Sequence, residues 1–213
     1  MSAFLYPVML DLTGRPCLVV GGGAIAERKV TGLLQAGARV TVVSPMLSPG
    51  LAALASEGRL WWRPREYRTG DLAGFALVMV ATDDGQVNAA VAGEGRERGV
   101  WVNAADDPAH CDFILPSVLR RGELVVAVAT GGASPALSRV VREELEGYFT
   151  EDYAVLTEVF AEVRRELKEA RRLPGAVAWR RALDRDLRRL IAEGKPEEAK
   201  AHLLDRLGAG RCG

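Results

Sequence analysis

The chain has 213 residues, a length that predicts one full-sized domain with a smaller addition rather than two full domains. Hydrophobic residues make up 48% and charged residues 26%, a composition typical of soluble globular proteins that excludes disordered and fibrous classes. The 28 basic and 28 acidic side chains cancel, so the chain lacks the net positive charge expected for binding nucleic acid or an anionic membrane.

The three cysteines are far apart in the sequence and odd in number, which argues against a disulfide framework and against zinc-finger spacing. The N-terminal residues have no basic segment before their short apolar stretch, and no apolar run approaches the roughly 18 residues of a membrane span. We therefore expect a soluble, unprocessed protein of the reducing cytoplasm.

Strands and helices are predicted to alternate over about the first 105 residues. The apolar run Cys17–Val20 ends in three glycines and is followed by helical spacing that stops at Gly37. Because the later apolar runs do not alternate with polar residues, they are typical of parallel strands covered on both faces. The fold class is therefore α/β, a Rossmann-like doubly wound parallel sheet. Further strands are predicted at 39–43, 60–62, 76–81 and 100–103, and further helices at 47–58 and 85–98.

The pattern changes after residue 112. Residues 113–129 predict an antiparallel hairpin that turns at Arg121-Gly122, followed by a helix from Ser134-Pro135 to about Tyr148. From Glu151 onward the sequence is helical and heavily charged on both signs. The predicted organisation is a Rossmann domain at 1–112, a hairpin and helix region at 113–148 and a small helical C-terminal domain at 149–213.

The glycines after the first predicted strand fit the dinucleotide-binding pattern G-x-G-x-x-G/A. Gly21 permits the tight turn, Gly23 lets backbone N–H groups approach a pyrophosphate, and the following helix supplies positive potential. A glycine-rich turn without a ligand is the alternative, and the preceding strand and following helix favour the nucleotide. We predict a dinucleotide cofactor that contacts Gly21, Gly22, Gly23, Ala24 and Ile25, and the pattern leaves both NAD and NADP open.

Polar residues follow three other predicted strands at the edge where open α/β sheets bind ligands. Ser44-Pro45 stands where an Asp or Glu usually holds the adenosine ribose, and Ser44 can still hydrogen-bond a ribose hydroxyl. Thr82 and Asp83 follow the fourth strand, and Asn103 ends the fifth. Helix capping by Asp83 or Asp84 explains the first pair equally well and is compatible with cofactor contact. Cofactor contacts are predicted from Ser44, Pro45, Thr82, Asp83 and Asn103.

A polar cluster, residues 103–113, lies between two apolar strands and holds three carboxylates, a histidine and a thiol. From the residues alone, either Asp106 or Asp107 is a candidate general acid/base, and an ordinary Asp-Asp-Pro turn is the alternative. His110 and Cys111 are adjacent, and neighbouring residues rarely converge on one ion, so no metal site is predicted.

Four arginines flank the predicted hairpin and the turn at 130–135, whose helix start is itself suited to an anion. They are either solvated surface residues or a patch that binds carboxylates. The four are Arg120, Arg121, Arg139 and Arg142.

Five segments of the chain resemble precorrin-2 dehydrogenases in order and spacing. These enzymes form the N-terminal module of sirohaem synthases and also occur as separate proteins. The resemblance covers about Leu5 to Glu146, and the chain after Tyr148 is similar only in being helical. The segments are VVGGGAIAERK at 19–29, ATDD at 81–84, NAAD at 103–106, CDFILPS at 111–117 and TGGASP at 130–135.

The resemblance implies an NAD-dependent two-electron oxidation of precorrin-2 to sirohydrochlorin, on the route to sirohaem or cobalamin. It implies that Asp106, which follows N-x-x, is the acid/base residue, and that the protein is a homodimer interwoven through 113–148. Some members phosphorylate a serine where this chain has Thr130. A macrocycle rich in carboxylates requires arginines and helix N-termini, so the arginine patch becomes the better interpretation. Substrate contacts are expected from Arg120, Arg139, Thr130, Gly131 and Ser134.

Three other functions stay open at this point. Some family members also insert iron, so the chain could be a bifunctional dehydrogenase and sirohydrochlorin ferrochelatase. A non-catalytic NAD-sensing module would leave Asp106 and the arginines without a role. A dehydrogenase for a smaller substrate would favour an apolar cleft without several arginines.

Overall fold

The computed structural model of the protein describes residues 5–105 and 107–208. Asp106, the residue expected to act as acid/base, lies outside the described residues, as does Cys212. The chain divides into two compact units, Met1–Leu115 and Pro116–Gly213.

The first unit is a five-stranded parallel sheet in the order β3-β2-β1-β4-β5, and helices follow β1, β2 and β4. This topology confirms the predicted Rossmann-like fold. Its elements are β1 Pro16–Val20, α1 Ala24–Gln35, β2 Arg39–Val43, α2 Pro49–Ser56, β3 Trp61–Arg63, β4 Leu77–Val80, α3 Gly85–Arg98, β5 Trp101–Ala104 and a 3-10 turn at Pro108–His110.

Both faces of this sheet are covered by apolar side chains. Cys17 and Val19 of β1 belong to the same core as Val30 of α1. Leu18 of β1 belongs to the core on the other face, together with Val91 of α3. Successive residues of a strand point to opposite faces, so a strand buried on both sides is apolar at every position.

The described part of the second unit, residues 116–208, forms a β-hairpin and five helices. Val159 and Val163 of α5 pack with Leu187 of α7 and Leu203 of α8. The predicted division of this part of the chain into 113–148 and 149–213 stays a prediction. No helix of the described residues is long and apolar enough to cross a lipid bilayer. The elements are β6 Ser117–Arg121, β7 Leu124–Val128, α4 Pro135–Tyr148, α5 Asp152–Glu169, α6 Ala176–Ala182, α7 Arg185–Ala192 and α8 Pro196–Arg206.

The position of the hairpin turn corrects the sequence prediction by one residue. Arg121 is the last residue of β6 and pairs with Leu124, so the connecting residues are Gly122 and Glu123 rather than Arg121-Gly122. Gly122 takes a φ of +55°, in the left-handed region that suits glycine at the first position of a two-residue hairpin turn.

Candidate functional site

The carboxyl ends of four strands lie side by side in the first unit. Val20 of β1 pairs with Val43 of β2 and with Val80 of β4, and Val80 pairs in turn with Ala104 of β5. The ladder continues into the glycine turn, because the Gly21 N–H donates to the Val43 carbonyl at 3.0 Å. The predicted cofactor contacts lie at the ends of these strands or just beyond them, and therefore at one edge of the sheet.

Two glycines of the turn after β1 have no room for a side chain. Gly21 has a φ of +118°, and a Cβ on it would overlap the backbone of Ala81. A Cβ on Gly22 would overlap the Met46 carbonyl and the Ser44 hydroxyl. The packing of the protein itself therefore requires glycine at both positions.

Gly23 differs from these two, because a Cβ there would meet no described atom within 4 Å. Its φ of −88° and ψ of −170° are open to any residue. It is the N-cap of α1, and no described side chain caps this helix, so the first N–H groups of α1 have no side-chain acceptor. Open space before an uncapped helix N-terminus fits the pyrophosphate of a dinucleotide.

Ser44, at the end of β2, is already held by its neighbours. Its side chain is buried, and its hydroxyl donates to the Met46 carbonyl at 2.7 Å. Its carbonyl accepts the indole N–H of Trp62 at 2.9 Å, and Pro45 beside it is exposed. With its proton committed to Met46, the Ser44 hydroxyl has a lone pair to offer a ribose hydroxyl. Cofactor contacts from Ser44 and Pro45 stay predictions.

After β4, capping falls to Asp84 rather than to Asp83. The Asp84 carboxylate accepts from the N–H groups of Gln86 at 2.8 Å and Val87 at 3.3 Å, at the start of α3. The Thr82 hydroxyl accepts from the Asp84 N–H at 2.9 Å. Asp83 is exposed and makes no hydrogen bond with a described residue. It is therefore the carboxylate that this segment leaves available to a ligand.

Asn103, near the end of β5, has a carboxamide that is held from three sides. Its Oδ1 accepts from Lys29 Nζ at 2.9 Å, and its Nδ2 donates to the Phe113 carbonyl at 2.9 Å and lies 3.6 Å from Cys111 Sγ. The side chain is buried, and these contacts anchor the loop at 104–113. The predicted contact between Asn103 and the cofactor stays a prediction.

Two further side chains close this loop against β5. Cys111 Sγ accepts from the Ala104 N–H at 3.2 Å and donates to the Ala104 carbonyl at 3.1 Å. Burial raises the pKa of the Cys111 thiol above its ordinary value. The Asp112 carboxylate accepts from the Val102 N–H at 2.8 Å. Cys111 and Asp112 therefore hydrogen-bond to the backbone of β5.

Asp107 and His110 form a contact of their own, with 2.6 Å between Oδ2 and Nδ1. Asp107 also precedes the 3-10 turn at Pro108–His110. His110 thus faces Asp107 whereas Cys111 faces Ala104, and no three His, Cys, Asp or Glu side chains of the described residues gather into a metal-binding group.

The residues predicted to contact substrate lie in the second unit, at the start of α4 and nearby. Ser134 is the N-cap of α4, and its Oγ accepts from the Leu137 N–H at 3.1 Å. Thr130 Oγ1 accepts from the Ser134 N–H and donates to the Ser134 carbonyl, both at 3.0 Å. Gly131 takes a φ of +63°. Both hydroxyls therefore close the turn onto the helix.

The four arginines of the predicted patch differ in what they contact. Arg142 pairs with Glu143 and Glu146, and Arg121 pairs with Glu151 at 3.1 Å. The other two are exposed and form no ion pair with a described residue. These two are Arg120 and Arg139, the arginines predicted to bind substrate carboxylates.

A family model described as putative NAD(P)-binding matches residues 8–117, and one described as sirohaem biosynthesis protein central matches residues 121–148. The "Siroheme synthase" of Methylobacillus flagellatus is 40% identical over 207 residues, which cover 96% of this chain and 44% of that protein. The "Siroheme synthase" of Methylococcus capsulatus is 39% identical over 201 residues, 93% of this chain and 42% of that protein. The chain thus spans less than half the length of these curated relatives.

A solved structure matches this chain over the whole of its own length. "SirC, precorrin-2 dehydrogenase" is 31% identical and superposes with a TM-score of 0.76, covering 94% of this chain and 100% of that chain. The similarity therefore extends over the whole of that shorter protein and includes both units of this one.

Proposed function

Since the chain belongs to the precorrin-2 dehydrogenase family, we propose that it catalyses the NAD-dependent dehydrogenation of precorrin-2 to sirohydrochlorin, a step towards sirohaem or cobalamin. The observation that carries this proposal is the uncapped start of α1 behind Gly23, in a chain that matches a precorrin-2 dehydrogenase over that protein's full length. The N–H groups at the start of α1 would donate to the pyrophosphate, for which Gly23 leaves room.

The reaction removes a hydride and a proton from the macrocycle. NAD, when bound, accepts the hydride. The Asp106 carboxylate accepts the proton, so that two electrons and one proton leave with the hydride and the second proton leaves through the protein. Asp107 has a different task, because its carboxylate is paired with His110 and shapes the turn.

The substrate class follows from the exposed cations of the second unit. Arg120 and Arg139 have no acidic partner among the described residues and are available to carboxylates of the tetrapyrrole. Ser134, Thr130 and Gly131 form the turn at the start of α4, where the helix dipole favours a further carboxylate.

We also propose that the protein is a homodimer of the cytoplasm, where thiols stay reduced. The β6–β7 ribbon is two-stranded, and isolated two-stranded ribbons are marginally stable and present unpaired edges. The neighbouring α4 exposes Leu137 and Val140, at 52% and 48%.

Sedimentation equilibrium tests the proposed dimer and should give twice the chain mass. The variant Val140→Glu should shift the protein towards the monomer.

The activity is tested by adding precorrin-2 and NAD anaerobically and following NADH formation together with the absorption spectrum of the macrocycle. We expect one NADH for each sirohydrochlorin, and a strong reduction by Gly23→Val, because that side chain occupies the path of the pyrophosphate. NAD binding without turnover would overturn the proposal in favour of an NAD-sensing module.

A further inference from the structure

Lys29 links the helix of the cofactor turn to the loop of the acid/base residue. It lies on the second turn of α1, and its Nζ donates to Asn103 Oδ1 at 2.9 Å, in a partly buried bond between residues 74 positions apart. Asn103 precedes Ala104, which is the last residue of β5 and the first of the loop at 104–113. One ammonium therefore joins the two segments to which cofactor binding and proton transfer are assigned.

The ammonium also determines which way the Asn103 carboxamide points. A carboxamide has an acceptor on one side and two donors on the other. With Oδ1 facing Lys29, the Nδ2 group faces the Phe113 carbonyl and Cys111 Sγ. The opposite orientation would put an N–H group against an ammonium and an oxygen against a carbonyl, both unfavourable. Lys29 thus selects the orientation in which Asn103 holds the far end of the loop.

The Lys29 ammonium also affects this loop through its charge. The pKa of the Cys111 thiol indicates the electrostatic environment of the loop. Burial raises this pKa most, and the carboxylates of Asp107 and Asp112 also raise it. The Ala104 N–H and the Lys29 ammonium lower it. His110, the other titratable neighbour in the loop, is turned to Asp107. A positive charge at this place favours the ionised form of acidic groups nearby, and a carboxylate must be ionised to accept a proton.

We propose that Lys29 is a positioning residue: through Asn103 it holds the loop at 104–113 against β5, and its ammonium favours the ionised state of acidic groups in that loop. For its catalytic consequence the inference rests on the proposed function. Its electrostatic consequence can be measured without cofactor or substrate.

The first experiment measures the pH dependence of Cys111 alkylation by iodoacetamide in the protein without cofactor. A Cys212→Ser background leaves Cys111 as the reactive thiol, because Cys17 is fully buried. Lys29→Met should raise the midpoint of the alkylation profile by about 0.5–1 pH unit, the effect of removing one nearby charge. Lys29→Arg, which keeps the charge, should leave the midpoint close to that of the parent.

The matched control is Arg28→Met, which removes a positive charge from the exposed neighbouring position of α1 without touching Asn103. It should leave the midpoint unchanged. An unchanged midpoint in Lys29→Met, or an equal shift in Arg28→Met, would overturn the inference. The midpoint is compared rather than the plateau rate, since a loosened loop would change access to the thiol.

The second experiment uses precorrin-2 turnover. Lys29→Met should lower kcat about 10-fold while KM for NAD changes less than about threefold, and Lys29→Arg should restore part of kcat. Because Lys29 acts through Asn103, Lys29→Met should cost little further in an Asn103→Ala background. Fully additive losses would overturn the role of Asn103. An inactive parent enzyme would reject the proposed function, and the alkylation profile would still decide the charge effect of Lys29.

Discussion

The turn after β1 and the loops after β3, β4 and β5 lie at the same edge of one sheet. They differ in whether a carboxylate side chain of the protein accepts hydrogen bonds from backbone N–H groups there. A carboxylate of the chain satisfies N–H groups beside each of the other three strands. Asp71 accepts from the Arg68 N–H, Asp84 caps α3, and Asp112 accepts from the Val102 N–H. At α1 the N-cap is Gly23, and no described side chain takes that role.

The difference shows where the sheet edge is left for a ligand. A side-chain cap contributes about 1 kcal/mol to stability, and the sequence forgoes it at α1 although a Cβ at Gly23 would meet no described atom within 4 Å. The protein therefore lacks the stabilisation of a side-chain cap at the start of α1, where an external anion can take the place of the cap. Such losses of stability are common at functional sites. The loops after β3, β4 and β5, whose N–H groups are satisfied by carboxylates of the protein, instead hold the side chains at this sheet edge in fixed positions.

The largest effect is expected in the loop after β5, where the proposed chemistry lies. Asp106→Asn is nearly isosteric and removes the proton acceptor, so kcat should fall about 100-fold or more while NAD affinity is unchanged. Asp107→Asn should cost much less, because Asp107 is turned towards His110. Stopped-flow measurement of NADH formation checks both variants, and equal losses would contradict the assignment of the base to Asp106.

The next effect comes from making α1 resemble α3. Gly23→Asp places a carboxylate where α3 has Asp84, so it caps the helix and opposes the pyrophosphate by charge. We expect the Kd for NAD to rise about 30-fold, from lost charge-assisted hydrogen bonds, while the free energy of unfolding stays the same or rises. Titration calorimetry and denaturant unfolding measure the two quantities.

Gly23→Asn is the matched control for this variant, because it has the same size and capping ability without the charge. Its loss of NAD affinity should be smaller than that of Gly23→Asp. A folded Gly23→Asp protein with unchanged NAD affinity would show that the pyrophosphate does not lie at this turn.

In the loop after β3, the contribution of Asp71 to the free energy of unfolding is expected to depend on pH. Arg65 donates to both oxygens of Asp71, and its hydrogen bonds hold the pKa of Asp71 below the ordinary value although burial opposes this. Asp71→Asn should reduce the free energy of unfolding by about 2 kcal/mol at pH 7, less than for a fully buried pair because Arg65 is partly exposed.

The pH dependence of the same variant follows from the direction of the shift. A folded-state pKa below the unfolded one stabilises the protein above the unfolded pKa of about 3.9, and this contribution is lost as the pH falls through the folded value. The difference between wild type and Asp71→Asn, measured by urea unfolding, should therefore shrink below about pH 4. A constant difference would mean that the Asp71 charge contributes nothing.

Sequence patterns predict the parts of this site that depend on neighbouring residues. The strand Arg39–Val43 and the helix Gly85–Arg98 were predicted at their observed bounds, because β-branched runs and capping residues are local signals. The need for glycine at position 22 depends on Met46, in another segment, and has no local signal.

The same reason explains why the patterns did not reveal the contact made by Lys29. Lys29 stands inside a recognisable motif, yet its bond to Asn103 exists only because the fold brings together two side chains that are 74 positions apart. The boundary between α6 and α7 was also missed. It is set by Asp184, an N-cap that accepts from the Leu187 N–H at 2.9 Å, and this local signal is hard to recognise between good helix formers such as Leu183 and Arg185.

The smallest expected effects separate the two aspartates after β4. Asp84→Ala removes the cap of α3 and should reduce the free energy of unfolding by about 1 kcal/mol, with NAD affinity changed less than about twofold. Asp83→Ala should do the reverse: Asp83 supports no described backbone group, so stability stays within about 0.5 kcal/mol, while loss of a hydrogen bond to the cofactor weakens NAD binding about fivefold. If instead Asp84→Ala weakened NAD binding and Asp83→Ala did not, the cofactor contact would belong to the capping residue, and one side chain would perform the two tasks that we assign to Asp83 and Asp84.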